Sequence, residues 1–173
     1  MNQPITNPAT KGFLLGLILI IIALATYFSG IKMDGGIQWL GYIIFLVAII
    51  LFISQYGKQI NYDSTFGNYF SHGFKISAIV TVIMIIYVVA FILLFPEFKD
   101  KAMEEARKNM QSKKISEEQM DKAIEISRKF FTTFLIAGTL IGYLILGVIA
   151  SLIGAAITKK NPNNFQQQID QIG

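Results

Sequence analysis

The sequence predicts an all-α membrane protein, with four transmembrane helices and an amphipathic helical hairpin between the third and the fourth. Three observations carry that prediction. The chain of 173 residues is 53% hydrophobic and only 15% charged, well under the roughly 25% of soluble domains. Its apolar residues fall into four long blocks, each near the length that a helix rising ~1.5 Å per residue needs to cross a ~30 Å hydrocarbon core. The charge is concentrated, because Pro96–Lys129 holds nine of the 15 Lys and Arg and eight of the 11 Asp and Glu. A soluble core needs polar residues between its apolar ones, so a single integral membrane domain over residues 1–173 is the expected class. With no cysteine there is no disulfide framework, thiolate metal site or catalytic thiol. The net charge of +4 raises nucleic acid as a partner. Acids interleave with the bases of the charged stretch, however, and that pattern reads as a solvated helix face with no nucleic-acid role.

Met1–Lys11 is short and polar and carries Pro4 and Pro8, so it reads as loose or lying along the surface. The first span, about 12–29, is apolar through Gly12–Phe28 apart from Thr26 and Tyr27. Lys11, the apolar run and Ala23-Leu24-Ala25 together imitate a secretory signal with a cleavage site. A single positive residue before the run and further spans behind it favour a retained helix. Ser29–Gly36 reads as a tight turn, with Gly30, Gly35 and Gly36 supplying flexibility and Lys32 and Asp34 keeping it in water. The second span, about 37–53, has Trp39 near its start, where an indole favours the membrane–water interface. So short a link makes these two spans antiparallel neighbours.

Ser54–Lys75 is the least regular part. Gln55, Lys58, Gln59, Asn61 and Asp63 are too polar for lipid, and Asp63 or Ser64 stands where it can cap a helix beginning at Thr65. Phe66, Tyr69, Phe70 and Phe74 recur at i, i+3, i+4 and i+8. That aromatic stripe predicts an interfacial helix that bends or runs directly into the third span. His72 lies beside the stripe. As the one histidine in the chain it has no partners for a metal site, and it reads as an interfacial hydrogen-bonding group. The third span, about 74–95, is rich in β-branched residues over Ile76–Phe95. Pro96 then removes a ladder donor and disfavours helix at Phe95, so a kink or a fresh helix with Pro96 in first position is expected.

The charged stretch, 96–129, reads as two amphipathic helices of roughly four turns each. In the first, Phe98, Ala102, Ala106 and Met110 recur every fourth residue with Met103 beside them. Glu97–Lys101 and Glu104–Lys108 are pairs in the favourable i, i+4 orientation. Gln111–Ile115 is a polar and basic break. Ser116 and Gln119 then make a capping box, with acids on the first turn. The second arm carries Met120, Ala123, Ile124, Ser127 and Phe131 on one face, and Glu118–Lys122 and Glu125–Lys129 repeat the pairing. Such arms predict an antiparallel hairpin. Exposed pairs are worth only about 0.3–0.5 kcal/mol each, so the narrow apolar faces must do the packing. Phe98, Ala102, Met103, Ala106, Met110, Met120 and Ile124 form the candidate partner surface.

The fourth span, about 130–157, is longer than lipid requires and is expected to continue the second arm without a break. Gly138, Gly142, Gly147, Ser151 and Gly154 in this span, with Gly12 and Gly16 in the first, are the candidate helix-packing positions. Small residues at such spacings let another helix approach closely, within the bundle or across a dimer. Lys159-Lys160 ends the span as a snorkelling anchor. The polar tail, 158–173, carries Phe165, Ile169 and Ile172 at helical spacing. Four spans place both termini on one side and the hairpin on the other. A count of bases favours a cytoplasmic hairpin. Hairpin bases in paired arms can lie far from lipid, though, whereas Lys11 and Lys159-Lys160 sit at span ends. Cytoplasmic termini are therefore the expectation.

The Pro-Glu-Phe-Lys-Asp-Lys-Ala run from Pro96, Ile115-Ser-Glu-Glu-Gln-Met120, the glycine-rich last span ending in Lys159-Lys160, and Thr65-Phe66-Gly67 with Gly73-Phe74-Lys75 resemble an uncharacterised family of bacterial four-span membrane proteins. The likeness covers most of the chain after Thr10. It implies the topology and a bacterial inner-membrane location. It carries no catalytic or binding residues to transfer.

About function the sequence says less. A His pair, a phosphate-cradling glycine loop and an H-E-x-x-H motif are all missing, and the hairpin acids are balanced by bases in a solvated pattern. No catalytic, cofactor-binding or metal residue is assigned, and the chain is read as not an enzyme. Ion-coupled carriers place acids, bases or His inside the bilayer, and none stands between the ends of these spans. A channel of several copies, or a carrier of a small solute, is the rival reading. The leading expectation is a structural or interaction bundle that touches the lipid bilayer and presents its hairpin to a membrane-protein partner or to a second copy of itself.

Overall fold

The structure, a computed structural model, describes residues 5–30, 39–113 and 115–161. They form six helices and no strand: α1 (Pro8–Phe28), α2 (Leu40–Gln59), α3 (Phe66–Leu94), α4 (Glu97–Ser112), α5 (Glu117–Lys129) and α6 (Phe131–Ile157). Four of them, α1, α2, α3 and α6, are long and apolar enough to cross a membrane. The chain is thus an all-α, multi-pass membrane protein, with a helical pair between its third and fourth spans.

Helix ends follow local chemistry, and several differ from the sequence expectation. α1 begins at Pro8 because Asn7 caps it, its side-chain oxygen accepting from the Ala9 N–H at 2.9 Å with the proline just inside. The segment expected to be loose is therefore helical from Pro8, and Lys11 lies within the helix. Most of the Ser29–Gly36 turn and the Phe165, Ile169 and Ile172 tail fall outside the described residues. α2 closes with a Schellman motif: Tyr62 N–H donates to the Gly57 carbonyl at 2.7 Å and Asn61 N–H to Lys58 at 3.2 Å. Asn61 and Tyr62 both take left-handed backbone, φ 53° and 61°, which is costly for a tyrosine. The Asn161 N–H donates to the Tyr62 carbonyl at 3.0 Å and helps to hold it there.

Thr65, rather than Asp63 or Ser64, caps α3, its hydroxyl accepting from the Asn68 N–H at 3.4 Å. The aromatic stripe runs directly into the span as one 29-residue helix, about 43 Å long. Pro96 ends that span as expected, but it stands at the N-cap of α4 and Glu97 is the first helical residue. Ser116 is the N-cap of α5 in extended backbone, yet its side chain makes no capping hydrogen bond, so only the position of the capping box holds. α5 and α6 are not continuous. Phe130, at φ −105° and ψ 16°, interrupts them for one residue, with no proline or glycine there to cause it.

The chain divides into two compact units, one of Met1–Ile83 with Gly142–Gly173 and one of Met84–Ile141. In the first, close contacts fix the topology. Gly12 faces Ile79 and Gly16 faces Ile83, so α1 and α3 run parallel. Gly57 faces Thr158 and Gly154 faces Ile53, so α2 and α6 run parallel too. Gly73 meets Ser151 while Gly147 meets Ser77, which makes α3 and α6 antiparallel. This is an up-down-up-down four-helix bundle, with Phe45, Ile49, Ile53, Ile76 and Val80 fully buried. In the second unit, Phe91 packs 4.9 Å from Phe95 and 5.2 Å from Phe98, and Phe98 lies 6.2 Å from Phe131. This aromatic cluster lies beside the two helix breaks at Pro96 and Phe130.

Candidate functional site

The hairpin of α4 and α5 is closed on itself. Met103 and Met120 are 7% and 2% exposed, so these two residues of the candidate partner surface are the seam between the arms. Phe98, Ala102, Ala106, Met110 and Ile124 are half-buried beside them. Two ion pairs cross the seam, Arg107 to Asp121 at 2.8 Å and Arg128 to Asp100 at 3.0 Å. Within the arms, Glu104–Lys108 and Glu118–Lys122 form at 2.6 Å each, at the spacing the sequence predicts. The Lys108 hydrogen bond, with its charge, holds the Glu104 carboxyl below its ordinary value, and Glu104 raises Lys108 in return. The Lys129 ammonium lies 5.5 Å over the Phe130 ring. What remains outward is mostly charge, with Ile126 as a large apolar residue at 54% exposure. Cross-arm pairing was not readable from sequence, because it depends on the register in which the arms meet.

Of the candidate packing positions, five lie in tight contacts within the first unit. A Cβ on Gly12 or Gly16 would come within 2.9 Å of Ile79 or Ile83. One on Gly147 would lie 2.5 Å from Ser77 Cβ, and one on Gly154 2.6 Å from Ile53. Ser151 is fully buried against Gly73. Gly142 has only ordinary contact with Tyr42, and Gly138 faces open space. Gly57 and Gly73, which the sequence reading passed over, are as tight as any, with Thr158 at 2.7 Å and Ile53 at 2.4 Å.

A second group of side chains is buried at the end of the bundle that holds the first and last described residues. His72 is 5% exposed and its ring stacks face to face on Tyr56, centroids 4.0 Å apart and planes 7° apart. Tyr69, fully buried, meets the same Tyr56 ring edge-on at 6.0 Å. Lys11 is 4% exposed, with its ammonium 3.4 Å from the Phe52 carbonyl oxygen and 5.4 Å over the Phe52 ring. His72 Nε2, the Tyr69 hydroxyl and the Ser151 hydroxyl are buried without a hydrogen-bond partner among the described residues. The expectation that His72 is an interfacial hydrogen-bonding group does not describe this placement, because packing against Tyr56 takes the ring out of water. Lys11 and His72 also stand inside membrane-length helices, where the sequence reading put no base. The cue for Lys11 was Asn7-Pro8, a helix start that draws the lysine into the bundle.

Residues 10–160 match the family described as Protein of unknown function (DUF4199), and the chain belongs to it. No curated protein and no solved structure matches the chain.

Proposed function

We propose that this member of an uncharacterised family is a non-enzymatic structural or interaction protein of a bacterial inner membrane. Its termini face the cytoplasm and its hairpin meets a membrane-protein partner or a second copy. One observation carries the reading. The hairpin spends its apolar seam on itself and clamps its arms with Arg107–Asp121 and Arg128–Asp100, leaving an ordered, mainly charged outer surface. A partner would then be recognised through complementary charge on a preformed shape, at little ordering cost. Replacing residues 97–129 by a short linker should leave insertion intact and abolish co-purification of a partner or oligomer. Unchanged co-purification counts against the reading, and a reporter placing the C-terminus outside the cytoplasm counts against the orientation.

The alternative, a channel of several copies or a carrier of a small solute, gains from the buried Lys11 and His72, since ionisable groups inside spans commonly mark solute paths. Flux into proteoliposomes that depends on this protein, and that Lys11→Met or His72→Leu abolishes, would favour it.

A further inference from the structure

We infer that Lys11 and His72 form a binding site for a phosphate-class anion, and that its occupant is the phosphate of an anionic phospholipid. The placement of charge in the first unit leads there. Its described residues carry Lys11, Lys58, Lys75, Lys159 and Lys160 against one carboxylate, Asp63. Lys160 is engaged, donating to the Ala155 and Thr158 carbonyls at 3.0 and 3.2 Å, where a cation complements the negative end of α6. Lys58 stands in the last turn of α2 with the same complement.

Lys11 is placed the other way. It sits near the start of α1, the positive end of that helix, and no acid stands in the first turn. The one described hydrogen bond of its ammonium, to the Phe52 carbonyl, is long at 3.4 Å and leaves two of the three ammonium N–H bonds to satisfy. A buried ammonium with no counter-charge beside it among the described residues is costly. His72 lies one helical turn away along α2, because Lys11 meets Phe52 and His72 stacks on Tyr56, four residues further on. Its Nε2 is an orphan, and the stack on Tyr56 keeps the ring from swinging out to find water. With its hydrogen on Nε2, a neutral His72 donates to an anion without adding charge. An ammonium near the positive end of α1, with an imidazole N–H, supplies donors of the kind a phosphate oxygen takes.

Depth selects the lipid source. Gly12 against Ile79 and Lys11 against Phe52 set Lys11 at the level of Lys75. The apolar run of α1 begins there, and basic pockets between helices at that boundary hold lipid headgroups.

The test uses the full chain in phosphatidylcholine nanodiscs with and without phosphatidylglycerol, read by native mass spectrometry of retained lipid and by melting temperature. The wild type should retain phosphatidylglycerol selectively and melt higher with it. Lys11→Met and His72→Leu should each cut that retention by about fivefold, while Lys11→Arg and the hairpin control Lys99→Met keep it. Wild-type retention in both Lys11→Met and His72→Leu, with normal melting in phosphatidylcholine, overturns the site. If Lys11→Met does not fold, His72→Leu against His72→Gln decides: retention lost only in the leucine variant supports the site, and equal retention in both overturns it. Inorganic phosphate added to phosphatidylcholine nanodiscs separates the sources. A full rise in melting temperature with phosphate alone overturns the lipid assignment in favour of a soluble anion, and the absence of a rise supports the lipid.

Discussion

The bundle of the first unit and the hairpin of the second are both antiparallel helix packings, yet different physics holds them. In the bundle the helices touch through missing side chains. Glycines at 12, 16, 57, 73, 147 and 154 bring backbones close enough that an added methyl collides with Ile, Thr or Ser. Lipid tails are as apolar as leucine, so burial alone gives spans little reason to associate, and close dispersion contact supplies it. In the hairpin the outer faces of the arms are exposed and largely charged. Two methionines close the seam and exposed ion pairs, Arg107–Asp121 and Arg128–Asp100 among them, decorate it. There the hydrophobic effect does the holding, and the pairs add register. The bundle should therefore be intolerant of added volume and indifferent to salt, whereas the hairpin should depend on its methionine seam and only its ion pairs should respond to salt.

The sharpest way to break that contrast is at glycine. Gly147→Leu should cost about 3 kcal/mol, at the upper end of ordinary overpacking. The first atom it meets, Ser77 Cβ at 2.5 Å, is anchored to the α3 backbone and cannot swing away. Gly138→Leu, facing open space on the same helix, should stay within about 0.5 kcal/mol. Reversible unfolding in bicelles compares the two, and equal losses would show that small residues are not what packs this bundle. A changed oligomeric mass in Gly138→Leu alone would give that open face to a second copy. Next in size is the hairpin seam. Met120→Ala, at a site 2% exposed, should remove about 2–3 kcal/mol of local stability, seen as faster amide exchange across α4 and α5.

The sequence made the fold legible and the contacts much less so. Four apolar blocks, the Pro96 break and the capped hairpin follow from composition and 3.6-residue periodicity, which act within one element. Which glycines touch what depends on how helices turn toward one another. Thus Gly138 and Gly147 look alike as letters and differ wholly in surroundings. Lys11 failed for a local reason, since a proline read as a breaker was the first helical residue behind an asparagine cap. His72 failed for a tertiary one, because only the return of α2 sets Tyr56 against its ring. The break at Phe130 has no local cause to read.

Smaller effects test the other half of the contrast. A double-mutant cycle on Asp100 and Arg128, both more than half exposed, should give a coupling below about 1 kcal/mol. That coupling should fade as salt shortens the screening length from about 10 Å at 0.1 M to about 3 Å at 1 M. A salt-independent coupling would mean the pair is shielded by something that covers the hairpin.

The smallest effect is the titration of Glu104 and Lys108. The hydrogen bond from Lys108, and then its charge, favour the ionised carboxylate, so Glu104 titrates below its ordinary 4.5. Whatever stability the pair gives is present above pH 4.5 and is lost as pH falls through the depressed value. Lys108 is raised above its ordinary 10.5 by the same contact, so its share is present below that value and disappears as pH climbs past the raised one. Between these limits the pair should be indifferent to pH. An NMR titration of the Glu104 side chain should find its midpoint below 4.5, and Lys108→Met should move it back up. Both groups are fully exposed, so the same substitution should leave global unfolding where it was. A bundle held by contact and a hairpin closed by its methionines do not depend on a surface charge. If Lys108→Met instead loosened the arms, the ion pairs, and not the Met103 and Met120 seam, would be what holds them.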